Sequence, residues 1–164
     1  MSRTRFNACL LLLLLCSGCQ RGARPALVGD PAPDFTVRDA EREISLRQFR
    51  GKVVVLNFWA TWCPPCVEEM PSLLALQQKM PGRVTVLAIS TDQSDSAYRA
   101  FIRDHNLSPG LLTIRDASQH SNALYGSFGF PETYIIDAGG TLRRKFIGPV
   151  DWTRPEMLDY LSRL

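Results

Sequence analysis

Two cysteines stand two residues apart in the stretch NFWATWCPPCVEEMPSL, residues 57–73. A C-x-x-C pair can supply half of a tetrahedral zinc site, close a small structural disulfide, or cycle between dithiol and disulfide. Zinc wants about four ligands, and no second Cys or His pair lies nearby, so no metal is expected. A disulfide between Cys63 and Cys66 closes too short a loop to stabilise much, which leaves that alternative open but weakly motivated. Redox cycling is favoured by the context. The preceding run VVVLNFW, residues 53–59, is aliphatic and aromatic apart from Asn57 and reads as a strand buried on both faces. A helix is predicted to begin at Cys63, with Pro64 at its first position, where a missing N–H costs nothing. The partial positive charge of a helix N-terminus favours a thiolate, so the pKa of Cys63 should fall below that of a free cysteine. Cys66 lies one turn inside. Cys63 is therefore expected to be the exposed attacking thiol and Cys66 the buried one that resolves the mixed disulfide. Pro64 and Pro65 both lack an N–H, which leaves the Cys66 and Val67 amides to face the Cys63 sulfur.

The elements that must hold this pair follow from periodicity. Residues 35–37 and 43–45 suit a short hairpin, and SLRQF a helical turn. Cys66, Met70, Leu73 and Leu74 fall on one helix face, with Pro71 expected to kink the helix. VTVLAI, residues 84–89, is a second buried strand. Ser94 or Ser96 can cap a helix carrying Tyr98, Phe101 and Ile102. A short strand over residues 111–114 and a helix over 118–125 come next. TYIID and LRRKFIG form two antiparallel strands joined at AGG, and residues 154–164 close the chain as an amphipathic helix. This is a three-layer α/β plan with a mixed sheet. His105, at helical spacing from Phe101, reads as a half-buried packing residue, and His120 as solvated.

The chain has 164 residues, within the range of one domain. Its apolar content of 45 % and charged content of 21 % are those of a globular protein. The formal charge of +3 becomes nearly neutral once Arg3 and Arg5 are set aside, so nucleic acid is not expected as a partner. Setting them aside is justified by the start, MSRTRFNACLLLLLLCSGC. It has a basic head, a leucine core too short to span a bilayer, and small residues before Cys19. That is the build of a secretory signal peptide. The ending CSGC resembles a bacterial lipobox, with Cys16 where that pattern usually has Leu, and implies a lipid on Cys19, the alternatives being an ordinary cleaved signal or a short uncleaved anchor. Residues 1–18 are then signal, 19–30 a tether and 31–164 a folded domain. Cys9 and Cys16 would leave with the signal. The only free thiols left would be Cys63 and Cys66, in a compartment that permits disulfides.

The segments NFWATWCPPCVEEMPSL and GFPETYIID together resemble the TlpA/ResA-like thioredoxin-fold proteins, including the CcmG or DsbE thioredoxins of cytochrome c maturation. The resemblance runs from about Pro31 to the C-terminus. It implies a thioredoxin fold with an N-terminal β-hairpin extension, and a redox-active Cys63–Cys66 disulfide without a cofactor. It also implies a cis bond before Pro131, facing that disulfide, with Phe130 and Gly129 offering backbone to an extended substrate and Trp62 and Pro64 completing the contact surface. General thioredoxins carry a buried aspartate where this chain has Asn57, which cannot titrate. Glu69 matches the acidic residue that ResA-like proteins use near their dithiol. Helical spacing puts it beside Cys66 on the helix surface, unless Glu68 and Glu69 only complement the helix dipole. Glu132, next to Pro131, is a second acidic candidate. The expected protein is a monomeric thiol–disulfide oxidoreductase, lipid-anchored on the periplasmic side of a bacterial membrane. It would reduce clients such as apocytochrome c with electrons from a DsbD- or CcdA-like membrane reductase. Two related families fit less well. A peroxiredoxin needs Thr three residues before its cysteine, where Cys63 has Ala60 and Cys66 has Cys63. A Sco-type copper chaperone uses C-x-x-x-C, one residue longer than the spacing here.

Overall fold

The computed structural model describes residues 25–164; the expected signal segment, Cys19 and the start of the expected tether lie outside the described residues. A hairpin of β1 (Thr36–Arg38) and β2 (Glu43–Ser45) leads through a 3-10 turn, Leu46–Phe49, into β3 (Val53–Trp59). Then come α1 (Pro64–Lys79), β4 (Val84–Ser90), α2 (Asp95–Asp104), β5 (Leu112–Arg115) and α3 (His120–Tyr125). The chain ends with β6 (Glu132–Ile136), β7 (Leu142–Ile147) and α4 (Pro155–Ser162). The main sheet has the order β5-β4-β3-β6-β7. Its β3, β4 and β5 are parallel, while β6 and β7 run antiparallel. This is the mixed α/β plan anticipated from the periodicity.

Strand β3 organises the interior because every one of its residues is buried. Side chains alternate across a strand. Val53, Val55 and Trp59 therefore join Cys66, Met70, Leu73 and Leu76 of α1 and Leu161 of α4 in one core. Val54, Leu56 and Phe58 pack with Phe35, Ile44 and Tyr125, under the hairpin and α3. Asn57 belongs to the first set by position, so its amide must be satisfied inside an otherwise apolar layer. Gln77 ties α1 to β4, accepting from the Val86 N–H at 2.8 Å and donating to the Val84 carbonyl at 3.2 Å.

Several details depart from the sequence reading. Helix α3 begins at His120 rather than Ser118, because the Asp116 carboxylate captures the Ser118 and Ser121 N–H groups and turns the chain first. His105 is exposed rather than half-buried, its ring stacked on Phe101 at 3.8 Å. The end of the expected tether is built into the fold: the Gly29 N–H donates to the Leu142 carbonyl, the Leu142 N–H donates to that of Asp30, and Ala26 packs on the second core. At the other end of that contact the β6–β7 turn closes at Gly140, whose φ of +83° suits glycine.

Leu73 has no exposed surface and sits between α1 and the sheet. Truncation to Ala should cost about 2–5 kcal/mol. Urea denaturation of the oxidised protein measures it, and a loss well under 1 kcal/mol would show that α1 is not seated on the sheet through this face.

Candidate active site

Cys63 caps α1 in extended geometry, with prolines at the first two helical positions, and is joined to Cys66 by a disulfide with a Cα–Cα distance of 5.3 Å. The pair is more covered than its sequence suggests. Cys63 keeps 6 % of its surface and Cys66 none, so the expected exposed thiol is a thiol with a narrow window. The order of exposure between the two is the one the helix geometry dictates. The backbone donors differ from the sequence reading. The Cys66 and Val67 N–H groups both donate to the Cys63 carbonyl, at 3.0 and 3.1 Å. With Pro64 and Pro65 lacking hydrogens, every amide of this first turn is absent or already engaged.

The approach to Cys63 is held from the neighbouring strand end. The buried Asp92 carboxylate accepts the Thr61 N–H and the Thr61 hydroxyl, the latter at 2.7 Å, and the Ser90 hydroxyl at 2.6 Å. The sequence reading passed over Thr61 and Asp92. Their only signal was position, just past the carboxyl ends of two parallel strands, where such sheets form their crevices. Trp62, 66 % exposed, meets the Phe130 ring edge-on with centroids 6.1 Å apart. This brings residues 129–131 beside the segment that ends in Cys63. The Phe130–Pro131 bond is cis, Pro131 is buried, and its carbonyl accepts the Gly148 N–H. Gly129 and Pro64 are exposed, as is Phe128 at 76 %, which the sequence reading did not single out.

Glu69 lies inside the protein, 2 % exposed, and not on the helix surface as expected. The inward face of α1 carries Cys66, Glu69, Met70, Leu73 and Leu76, so Glu69 follows the dithiol into the core while Glu68 faces solvent. Its carboxylate is surrounded by neutral donors. Oε1 accepts the Trp152 indole N–H at 2.6 Å and the Val150 N–H at 3.1 Å. Oε2 accepts the Asn57 amide at 3.2 Å, and the same amide nitrogen donates to the Thr133 hydroxyl at 2.9 Å. Burial raises the Glu69 pKa from 4.5 to about 7, against the opposing pull of Trp152, Val150 and Asn57. Asn57 thus binds the buried acid that lies one turn along α1 from Cys66. Trp152 and Val150 were missed. A buried indole N–H needs an acceptor, but nothing in the sequence says which.

Glu132 is placed elsewhere. Strand alternation turns it to the opposite sheet face from its neighbour Thr133. There its carboxylate accepts the Tyr134 hydroxyl at 2.9 Å and pairs with Lys145 at 3.0 Å. Adjacency to Pro131 in sequence does not bring it to Glu69 or Cys66.

Comparison with known proteins fits this geometry. The AhpC/TSA family pattern matches residues 28–145. The thiol-disulfide oxidoreductase ResA of Bacillus thuringiensis subsp. konkukian is 32 % identical over 139 residues, 84 % of this chain and 78 % of its own. The thiol:disulfide interchange protein DsbE of Pseudomonas aeruginosa is 36 % identical over 130 residues, 77 % of this chain and 69 % of its own. Among solved structures, a secreted disulfide oxidoreductase of Mycobacterium tuberculosis homologous to E. coli DsbE superposes with a TM-score of 0.67 at 27 % identity, covering 79 % of this chain and 96 % of that one.

The buried acid makes stability depend on pH. The fold favours neutral Glu69, so the cost of ionising it is absent below about pH 4.5 and complete above about pH 7. Across that window the oxidised protein should lose on the order of 3 kcal/mol through this group. Urea melts at stepped pH should show the decline, and Glu69→Gln should flatten it. An unchanged slope in that variant would place the titration on other groups.

Proposed function

The chain belongs to the AhpC/TSA family and is a thiol–disulfide oxidoreductase of the ResA and DsbE type, and we propose that it works outside the cytoplasm as a membrane-tethered reductant of client disulfides. The observation that carries this reading is the Cys63–Cys66 disulfide at the start of α1, flanked by the Trp62–Phe130 contact.

In the forward reaction the Cys63 thiolate attacks one sulfur of a client disulfide and expels the other as a thiolate. The Cys66 thiol gives its proton to the Glu69 carboxylate, and the resulting thiolate attacks the Cys63 sulfur. The Cys63–Cys66 bond forms and the second client sulfur leaves, so two electrons have passed to the client. Glu69 then returns its proton to the leaving thiolate or to solvent. An acid with a pKa of about 7 is matched to this task near neutral pH. Trp62 and Phe130 give an apolar platform for the client, and the backbone of residues 129–131 offers partners to an extended segment.

Export is supported by the signal-like start and by the secreted relative. Among the described residues no helix is long and apolar enough to cross a membrane. The lipobox-like ending CSGC supports attachment through a lipid on Cys19. A DsbD- or CcdA-like reductase would resupply electrons to the monomeric domain, and apocytochrome c is the client class that the family resemblance favours.

Cys66→Ser should accumulate mixed disulfides with clients through Cys63 in the membrane fraction, while Cys63→Ser should trap none. Adding Cys19→Ser should release the trapped adducts into the soluble fraction. Trapping that proceeds equally through Cys66 in Cys63→Ser would overturn the assigned order.

The engaged amides at the helix start bear on the direction of electron flow. A strongly oxidising member of this fold stabilises its thiolate, with a nucleophile pKa near 3.5 and a potential of about −120 mV. Here no backbone N–H of the first turn is left for the sulfur, so a potential nearer the thioredoxin value of about −270 mV is expected. Equilibration against a dithiothreitol or glutathione buffer measures it; a value near −120 mV would sink the reductant reading.

A further inference from the structure

The β7–α4 connection reaches across the sheet face to touch Glu69, and it does so through several independent bonds. The Ser72 hydroxyl, one turn along α1 from Glu69, shares its hydrogen between the Glu69 carbonyl at 2.9 Å and the Val150 carbonyl at 3.1 Å, and accepts the Trp152 N–H at 3.3 Å. These bonds fix the connection on α1. Trp152 is fully buried, with its ring edge-on to Phe146 at 5.3 Å. Ser72 thus holds its backbone and Phe146 its ring, and the indole N–H is delivered to Oε1 of Glu69 at 2.6 Å. A hydrogen bond to the charged form of an acid favours that form.

We propose that Trp152 is a positioning residue for thiol–disulfide exchange: its indole N–H orients the Glu69 carboxylate and biases it toward the ionised, proton-accepting form, one turn along α1 from Cys66. The inference rests on the exchange mechanism given above, but its geometry and its test stand in the oxidised protein. The Asn57 amide and Val150 N–H complete a cradle of donors. No Lys or Arg pairs with Glu69 among the described residues. The titratable groups near it are Cys66 on its own helix and, around a cleft of about 280 Å³, Glu68 and Asp151. From β3 and β6 come only the neutral Asn57 and Thr133. Glu69 itself lines that cleft together with Ser72 and Val150. The cleft gives its proton an exit to water away from the thiols. Trp152 thus offsets part of the desolvation of Glu69 without adding a positive charge that would draw the proton off permanently.

The variant Trp152→Phe keeps an aromatic ring in the core and removes the N–H. In the oxidised protein, carboxyl-carbon NMR should show the Glu69 midpoint moving up by about one pH unit, a tenfold change in proton affinity. The pH profile of the Cys66 resolving step should move by the same amount. In a Glu69→Gln background Trp152→Phe should leave that profile unmoved. An unshifted Glu69 midpoint in folded Trp152→Phe would overturn the proposal, reducing Trp152 to a packing residue. Should the variant not fold, the wild type supplies the test. The Trp152 indole N–H resonance should titrate with the Glu69 carboxyl and stay still in Glu69→Gln, and an indole resonance that ignores the titration refutes the contact. Absence of exchange with any disulfide would instead refute the oxidoreductase reading, leaving these titrations unaffected.

Discussion

One buried carboxylate constrains the dithiol side of this protein. Glu69 must lose its water for α1 to seat on the sheet, and a carboxylate without partners in such a place is costly. Three separate parts of the chain supply its donors: Asn57 from the central strand, and Val150 and Trp152 from the connection before the last helix. The same contacts dock α1, and therefore Cys63 and Cys66, against the sheet. Because all the donors are neutral, the acid is neither neutralised by a salt bridge nor left unsolvated, and its pKa settles at about 7. One set of bonds therefore does two things: what seats the helix also sets the pKa of an acid one turn from the buried thiol.

The helix start obeys a second constraint. Pro64 and Pro65 preset the backbone for helix entry, but they remove two hydrogens that could face a sulfur anion. The remaining two amides of the turn close on the Cys63 carbonyl. What remains for a thiolate is the dipole of α1, with no individual backbone bonds in this turn. The loop in front of Cys63 is instead braced by Asp92 through Thr61, so the position of the thiol depends on β4 as much as on its own helix.

Sheet alternation separates two acids that look equivalent in sequence. Thr133 and Glu132 are neighbours on β6, yet Thr133 shares the Asn57 amide with Glu69, while Glu132 sits with Tyr134 and Lys145 beneath the other face. Only the first face holds the thiols. Each face thus has its own buried acid with its own partners: neutral donors around Glu69, and a phenol and an ammonium around Glu132.

Local patterning carried much of this in the sequence itself. The apolar run of β3, broken only by Asn57, the proline after Cys63 and the 3.6-residue spacing of Cys66, Met70 and Leu73 suffice to place a dithiol at a strand-to-helix seam, because each depends only on nearby residues. The spacing even points Glu69 toward the side of Cys66. What it does not contain is depth: whether that side is surface or core depends on what covers α1, and the cover comes from residues 150–152, some 80 positions away. The pairing of Asn57 with Glu69 and Thr133, the capture of Thr61 by Asp92 and the parting of Glu132 from the site are likewise long-range. They follow from strand order and register, which bring together side chains that no local period relates. The sequence determined the reagent, a thiol pair at a helix start; tertiary packing decided the surroundings of Glu69, because burial raises the pKa of an acid and only distant segments bury it here.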